Sequence, residues 1–187
     1  MYNLVVFASG NGTTLQSIID NINSGNLKAK IQLVVSNNPD AYALSRAKND
    51  NIQTYVIKNT KSNDIDTELL EVLSQYDVDL IVLAGYLKLI GSGLINKYTI
   101  INTHPALLPN YGGKGMYGMN VHRAVIEAHE SKSGVTLHYV NEKYDSGDII
   151  RQTVVPVYSE DTAEDLSARV QAAEKIQLID FLKKFEK

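Results

Sequence analysis

The sequence contains no cysteine, which rules out disulfides and every thiolate nucleophile or metal ligand. It has no His-x-x-x-His, Glu-x-x-His or comparable ligand-spaced cluster, so no metal is expected. Its 18 Lys and Arg are scattered among 21 Asp and Glu, for a net charge of −3. That balance gives no electrostatic footprint for nucleic acid and no polybasic patch for a membrane surface. No apolar run approaches the length of about 20 residues that spans a bilayer. Tyr2-Asn3 stands where a signal peptide would be basic, and the apolar residues 4–8 are too few for its core. The expectation is a cytoplasmic protein with no repeat, linker or low-complexity segment.

What is present is ordinary for one globular domain: 187 residues, 44% hydrophobic and 21% charged. Such a length buries roughly 70% of the unfolded surface. Apolar strands are predicted over 4–8, 31–35, 54–57, 80–84 and 99–102, with helices over 14–24, 41–48 and 64–76 between them. Continuous apolar strands suit a parallel sheet covered on both faces. The alternation predicts an α/β fold with a doubly wound, mostly parallel sheet, binding ligands at the carboxyl ends of its strands. The second half differs. A helix is predicted over 121–129, then strands over 134–140 and 149–157 as an antiparallel pair. Val135, Leu137 and Tyr139 would share one face of the first of these strands. A long last helix carries Leu166, Val170, Ala173, Ile176, Ile179 and Leu182 as its stripe, with Thr162 and Asp165 as an N-cap pair.

Ser9-Gly10-Asn11-Gly12-Thr13-Thr14 joins the first strand to the first helix. Glycines allow a sharp turn and close approach to backbone N–H groups, and a helix N-terminus attracts anions. Thr13 with Gln16 reads as a capping box. The loop is neither a Walker A nor a Gly-x-Gly-x-x-Gly sequence, so a phosphate cradle and a plain tight turn both stand at this point. Ser36-Asn37-Asn38 closes the second strand where a dinucleotide site would carry an acid.

The richest stretch is Ile100-Ile101-Asn102-Thr103-His104-Pro105. Residues i and i+2 share a strand face, so Asn102 and His104 point at one spot where Pro105 ends the ladder. An amide there can hold an oxyanion, and an imidazole can move a proton at neutral pH. Asp145, in the turn Asp145-Ser146-Gly147-Asp148, reads either as a turn-capping aspartate or as a carboxylate facing His104 and favouring its protonated form. His122 and His129 suit surface or structural roles, and His138 a satisfied sheet position. No Gly-x-Ser-x-Gly elbow is present. Gly112-Gly113-Lys114-Gly115-Met116-Tyr117-Gly118 follows the Asn/His pair and reads as a mobile connection or a lid.

Taken together, these motifs identify a resemblance to the folate-dependent glycinamide ribonucleotide formyltransferases, over about residues 4–185. Its carriers are Ser9-Gly10-Asn11-Gly12 with Leu15, Ser36-Asn37 and Leu83-Ala84-Gly85-Tyr86. Asn102-Thr103-His104-Pro105-Ala106-Leu107-Leu108-Pro109, Gly134-Val135-Thr136-Leu137-His138-Tyr139-Val140, Asp145-x-Gly147 and Arg169-Val170-Gln171 complete them. The resemblance implies one formyltransferase domain over 1–187, with 1–100 as its phosphate-binding, Rossmann-like half and 101–187 as its folate-binding and catalytic half. It implies direct attack of the ribonucleotide amine on the formyl carbon of 10-formyltetrahydrofolate, a co-substrate, in purine synthesis.

The resemblance also implies a role for each matching residue. Asn102 would hold the oxyanion and protonated His104 would act as acid. Asp145 would raise the histidine's pKa and relay the amine proton. The ribonucleotide phosphate would sit on Gly12, Thr13 and Thr14, with Glu174 on the same substrate. The pterin would lie along Leu87, Lys88, Leu89 and Ile90 and along Asn141, Glu142, Lys143, Tyr144 and Asp145. Lys61 is the candidate for the folate glutamate tail. Thr14 replaces a common asparagine, Lys88 a common arginine, and residues 114–119 lengthen the loop after Tyr111. Partners are expected to be small molecules only, with the protein a monomer or homodimer. Methionyl-tRNA formyltransferases and formyltetrahydrofolate hydrolases share the trio but add a C-terminal RNA-binding or an N-terminal regulatory domain. Neither addition is expected here, where the first strand begins at Leu4 and one helix closes the sequence. A sugar-nucleotide formyltransferase and a non-catalytic nucleotide-binding module are the remaining alternatives.

Overall fold

The computed structural model describes residues 1–58 and 64–185. Its strands are β1 (Tyr2–Phe7), β2 (Ala29–Ser36), β3 (Thr54–Val56), β4 (Leu80–Leu83), β5 (Ile100–His104), β6 (Lys132–Tyr139) and β7 (Ile149–Pro156). The helices are α1 (Thr13–Asn23), α2 (Tyr42–Asn49), α3 (Asp64–Leu73), α4 (Ser92–Lys97), α5 (Met119–Glu127) and α6 (Ala163–Lys184). One sheet runs in the order β3-β2-β1-β4-β5-β6-β7. Strands β1 to β5 are parallel, whereas β6 is antiparallel to β5 and β7 to β6. This is the doubly wound sheet with an antiparallel C-terminal pair that the apolar runs and turns imply.

Both faces of the parallel part are buried, as continuous apolar strands require. Along β1, Leu4 and Val6 enter one core while Val5 and Phe7 enter the other. The order reverses between β1 and β4, and ligand crevices open at the carboxyl ends of strands flanking such a switch point. There the Ser9 N–H donates to the Gly85 carbonyl at 3.1 Å, tying the two loops together.

Four expectations need correction. Thr13 does not cap α1: the cap is Gly12 at φ 71, with no side-chain bond. A Cβ at Gly12 would come within 2.7 Å of Ala43, so close packing against α2 and the left-handed turn both select glycine. Second, β6 is buried along both faces and not only the one expected to carry Val135, Leu137 and Tyr139. Val135 and Leu137 face the cores. On the other face, the Thr136 hydroxyl donates to the Ala106 carbonyl at 2.7 Å and accepts from the Leu108 N–H at 3.0 Å. Tyr139, beyond a register shift after Leu137, is exposed.

Third, Ile176 on α6 is 65% exposed. Leu166, Val170 and Ala173 pack on the C-terminal cluster, whereas Leu178, Ile179 and Leu182 serve the main core from almost the opposite side of the helix. At about 100° per residue, Ile176 falls between the two faces. Fourth, α4 lies in a stretch with no predicted element, being too short to show a helical period. The capping box of Thr162 and Asp165 on α6 is present in both directions. Among the described residues, no helix is long and apolar enough to cross a membrane.

Candidate active site

Strand β5 delivers Asn102 and His104 to one cavity of ≈ 360 Å³, whose walls also include Gly85, Tyr86, Tyr144 and Asp145. His104 is buried. Its Nε2 donates to the Tyr111 carbonyl at 2.8 Å, and its Nδ1 lies 3.4 Å from Asp145 Oδ1. Both ring nitrogens therefore face oxygens that accept. Asp145 adopts φ 51, and its Oδ2 accepts from the Gly113 N–H at 2.8 Å. The aspartate is thus more than a turn cap. Gly147 follows it because a Cβ there would run into the Tyr139 main-chain carbonyl. The glycine-rich segment lies against this site, with Gly113 to Tyr117 forming one wall.

Burial pushes the Asp145 carboxyl up, but the His104 ring and the Gly113 N–H together hold it below the ordinary range. The folded protein keeps this carboxylate charged to lower pH than the unfolded chain, where the value is about 3.9. The resulting stability is present above that value and is lost as pH falls through the lower folded one. The unfolding free energy is therefore expected to fall more steeply below about pH 4 in the parent than in Asp145→Asn. Chemical denaturation at several pH values checks this, and equal slopes would contradict the assigned partners.

Asn102 meets a residue read from sequence only as a satisfied sheet position. His138 is its cross-strand neighbour in the β5–β6 register. The His138 Nδ1 donates to the Tyr139 carbonyl at 2.8 Å, which leaves Nε2 to accept from the Asn102 amide at 3.0 Å. Burial lowers the pKa of His138, opposed by the Tyr139 carbonyl and Asp145, in keeping with a neutral ring. This orients the Asn102 amide, leaving its second N–H free for another acceptor.

Thr103, between the two, faces the other way. Its hydroxyl donates to Glu174 Oε1 at 2.9 Å, and the Thr14 hydroxyl donates to the same oxygen at 2.9 Å. Glu174 on α6, Thr14 on α1 and β5 thus meet directly behind the Asn/His pair. Burial pushes the Glu174 carboxyl up. With Gly12 as cap, the N–H groups of Gly12, Thr13 and Thr14 have no partner inside the helix. Arg46 braces the loop from α2, its Nε donating to the Asn11 carbonyl at 2.8 Å. Ser9 braces it further, donating to Asn37 Oδ1 at 2.5 Å and accepting from the Leu87 N–H at 3.0 Å.

A second, adjoining recess is lined by Lys88, Leu89, Ile90, Asn141 and Lys143, and shares Tyr86, Asn102, Tyr144 and Asp145 with the first cavity. Leu87 lies in the wall of the first. Leu87 and Leu89 are exposed despite being apolar. Glu142 belongs to the same turn but lines neither recess. Lys61 lies outside the described residues. Among the described residues, no group of three His, Asp or Glu gathers as a metal site. His122 is buried, and His129 takes the left-handed position after α5.

The model of the family described as formyl transferase matches residues 2–182. The chain belongs to the formyl transferase family. A phosphoribosylglycinamide formyltransferase of Haemophilus influenzae is 41% identical over 179 residues, covering 93% of this chain and 82% of that protein. A chloroplastic phosphoribosylglycinamide formyltransferase of Vigna unguiculata is 42% identical over 172 residues. The match covers 89% of this chain but 55% of that relative's length. The crystal structure of glycinamide ribonucleotide transformylase 1 from Geobacillus kaustophilus superposes with a TM-score of 0.89 at 36% identity, covering 98% of each chain. The fold of this formyl transferase is therefore that of solved transformylases along nearly its whole length.

Proposed function

We propose that this formyl transferase moves the formyl group of 10-formyltetrahydrofolate to the amine of 5′-phosphoribosylglycinamide, a step of de novo purine synthesis. The observation that carries this reading is the convergence of Asn102, His104 and Asp145 on one cavity, with the Thr14–Glu174–Thr103 cluster immediately behind it. In this reading residues 1–187 act as one domain. Its first hundred residues supply the phosphate loop, and the remainder supplies the catalytic groups and most of the folate wall. Small molecules are its substrates and the cytoplasm its setting, as a monomer or homodimer.

The folate supplies an activated formyl group. The amine nitrogen bonds to the formyl carbon, the bond from that carbon to the folate nitrogen breaks, and the amine proton is passed to the departing folate. Asn102 would donate its free amide N–H to the oxyanion, where such a donor acts on developing charge. His104, protonated, would stabilise the same oxygen and supply the acid. Asp145 would hold the ring and take part in relaying the amine proton. Gly12, Thr13 and Thr14 would hold the phosphate at the positive end of α1, with Glu174 on the rest of the ribonucleotide. Tyr86, Leu87 and Tyr144 give the cavity wall aromatic and apolar surface that suits a fused-ring ligand; Lys88, Leu89, Ile90, Asn141, Glu142 and Lys143 would flank that ligand, and Lys61 would meet its glutamate tail.

The test mixes purified protein with the folate and follows tetrahydrofolate with and without the ribonucleotide. Formation only when the ribonucleotide is present is expected. Equal formation without it would point to hydrolysis instead and overturn the proposal.

A further inference from the structure

The segment after β5 reaches back to both polar groups of the site. Tyr111 contributes its main-chain carbonyl to His104 Nε2 at 2.8 Å, and two residues later the Gly113 N–H donates to Asp145 at 2.8 Å. Tyr111 holds φ 56, a left-handed conformation that is uncommon for a residue with a side chain. Something outside the backbone must maintain it. The tyrosine ring packs on the C-terminal cluster of Val125, Val135, Val155, Leu166 and Val170. Its hydroxyl donates to Glu130 Oε1 at 2.8 Å.

The main chain of Glu130 is held by the end of α5. His129 takes φ 52, its N–H donates to the Ile126 carbonyl at 3.0 Å, and the Glu130 N–H donates to the Val125 carbonyl at 3.3 Å. This is the paired bonding of a Schellman motif. A continuous series of bonds therefore runs from the capped end of α5 through the Tyr111 side chain and carbonyl to the histidine.

We propose that Tyr111, anchored by Glu130, is a positioning residue that sets the orientation and the ring-nitrogen assignment of His104. A carbonyl only accepts, so Nε2 keeps its hydrogen in either charge state, and any proton the ring gains or gives up in turnover moves at Nδ1, beside Asp145. The kinetic part of this proposal rests on the formyl-transfer reading, but the assignment of the ring hydrogen does not.

The test uses the full chain with ¹⁵N-labelled histidine, the His104 signals being assigned by difference from His104→Ala. The neutral ring of the parent is expected as the Nε2–H tautomer, and Tyr111→Phe, which keeps the packed ring, is expected to mix the two tautomers. In turnover, Tyr111→Phe is expected to lower kcat about tenfold, since small misplacements of reacting groups are costly, with KM for both substrates little changed. Glu130→Ala, which removes the acceptor of the Tyr111 hydroxyl, should act in the same direction, and the double variant should lose little more than Tyr111→Phe alone. An Nδ1–H tautomer in the parent overturns the proposal, as does a Tyr111→Phe variant with parental kcat and spectrum. Absence of turnover in the parent would count against the formyl-transfer reading alone, while the tautomer still decides this one.

Discussion

Replacing Asn102 with alanine is expected to lower kcat by roughly 100- to 1000-fold, the cost of removing one oxyanion donor from an enclosed site. The size of the effect follows from how the amide is held. Burial favours neutral His138, whose Nδ1 hydrogen is committed to the Tyr139 carbonyl, so Nε2 can only accept. One Asn102 N–H goes there at 3.0 Å. The other is aimed by default rather than recruited during the reaction, and preorganised donors cost no reorganisation. Asn102→Asp keeps the shape but removes both N–H groups, so a comparable loss is expected from it. Steady-state kinetics check both variants, with unfolding temperature as the control for folding. A variant within tenfold of the parent would remove Asn102 from the oxyanion role.

The second large effect is expected at His104. Loss of its imidazole should cost about 100-fold or more in rate, the scale of a positioned general acid. Three features of the structure support a role beyond packing. The ring is buried, both of its nitrogens face accepting oxygens, and Asp145 stands 3.4 Å from Nδ1 on a carboxylate held in its charged form. His104→Ala would also deprive Asp145 of the first of the groups that oppose its burial. Its acid-side stability is then expected to shrink, as in Asp145→Asn. Near-parental kcat in His104→Ala would withdraw the acid role.

Much of this site is local in the chain, and that part could be read from sequence. Asn102 and His104 are two residues apart on a strand, so the pleat alone puts them on one face. Pro105 marks where that strand ends, and β5 stops at His104. Buried parallel strands such as Leu80–Leu83 are visible as unbroken apolar runs.

Contacts across the chain were not legible. That His138 orients Asn102 depends on the β5–β6 register, which residue spacing does not specify. That Thr103 and Thr14 share Glu174 depends on α6 crossing behind the sheet. A backbone carbonyl such as that of Tyr111 carries no residue signature at all. The false capping box at Thr13 and Gln16 has a simpler origin. The pair has the right residue types, but close packing of Gly12 on Ala43 sets the helix start one residue earlier.

The central claim is transfer from folate to the ribonucleotide at the Asn102–His104–Asp145 site. Its most direct test follows the carbon itself. Folate carrying an isotopically labelled formyl group is incubated with the protein and 5′-phosphoribosylglycinamide, and the label is traced among ribonucleotide, folate and free formate. One label on the ribonucleotide amine for each tetrahydrofolate released, abolished in His104→Ala, is the expected result. Label recovered as formate, at the same rate with or without the ribonucleotide, would contradict it.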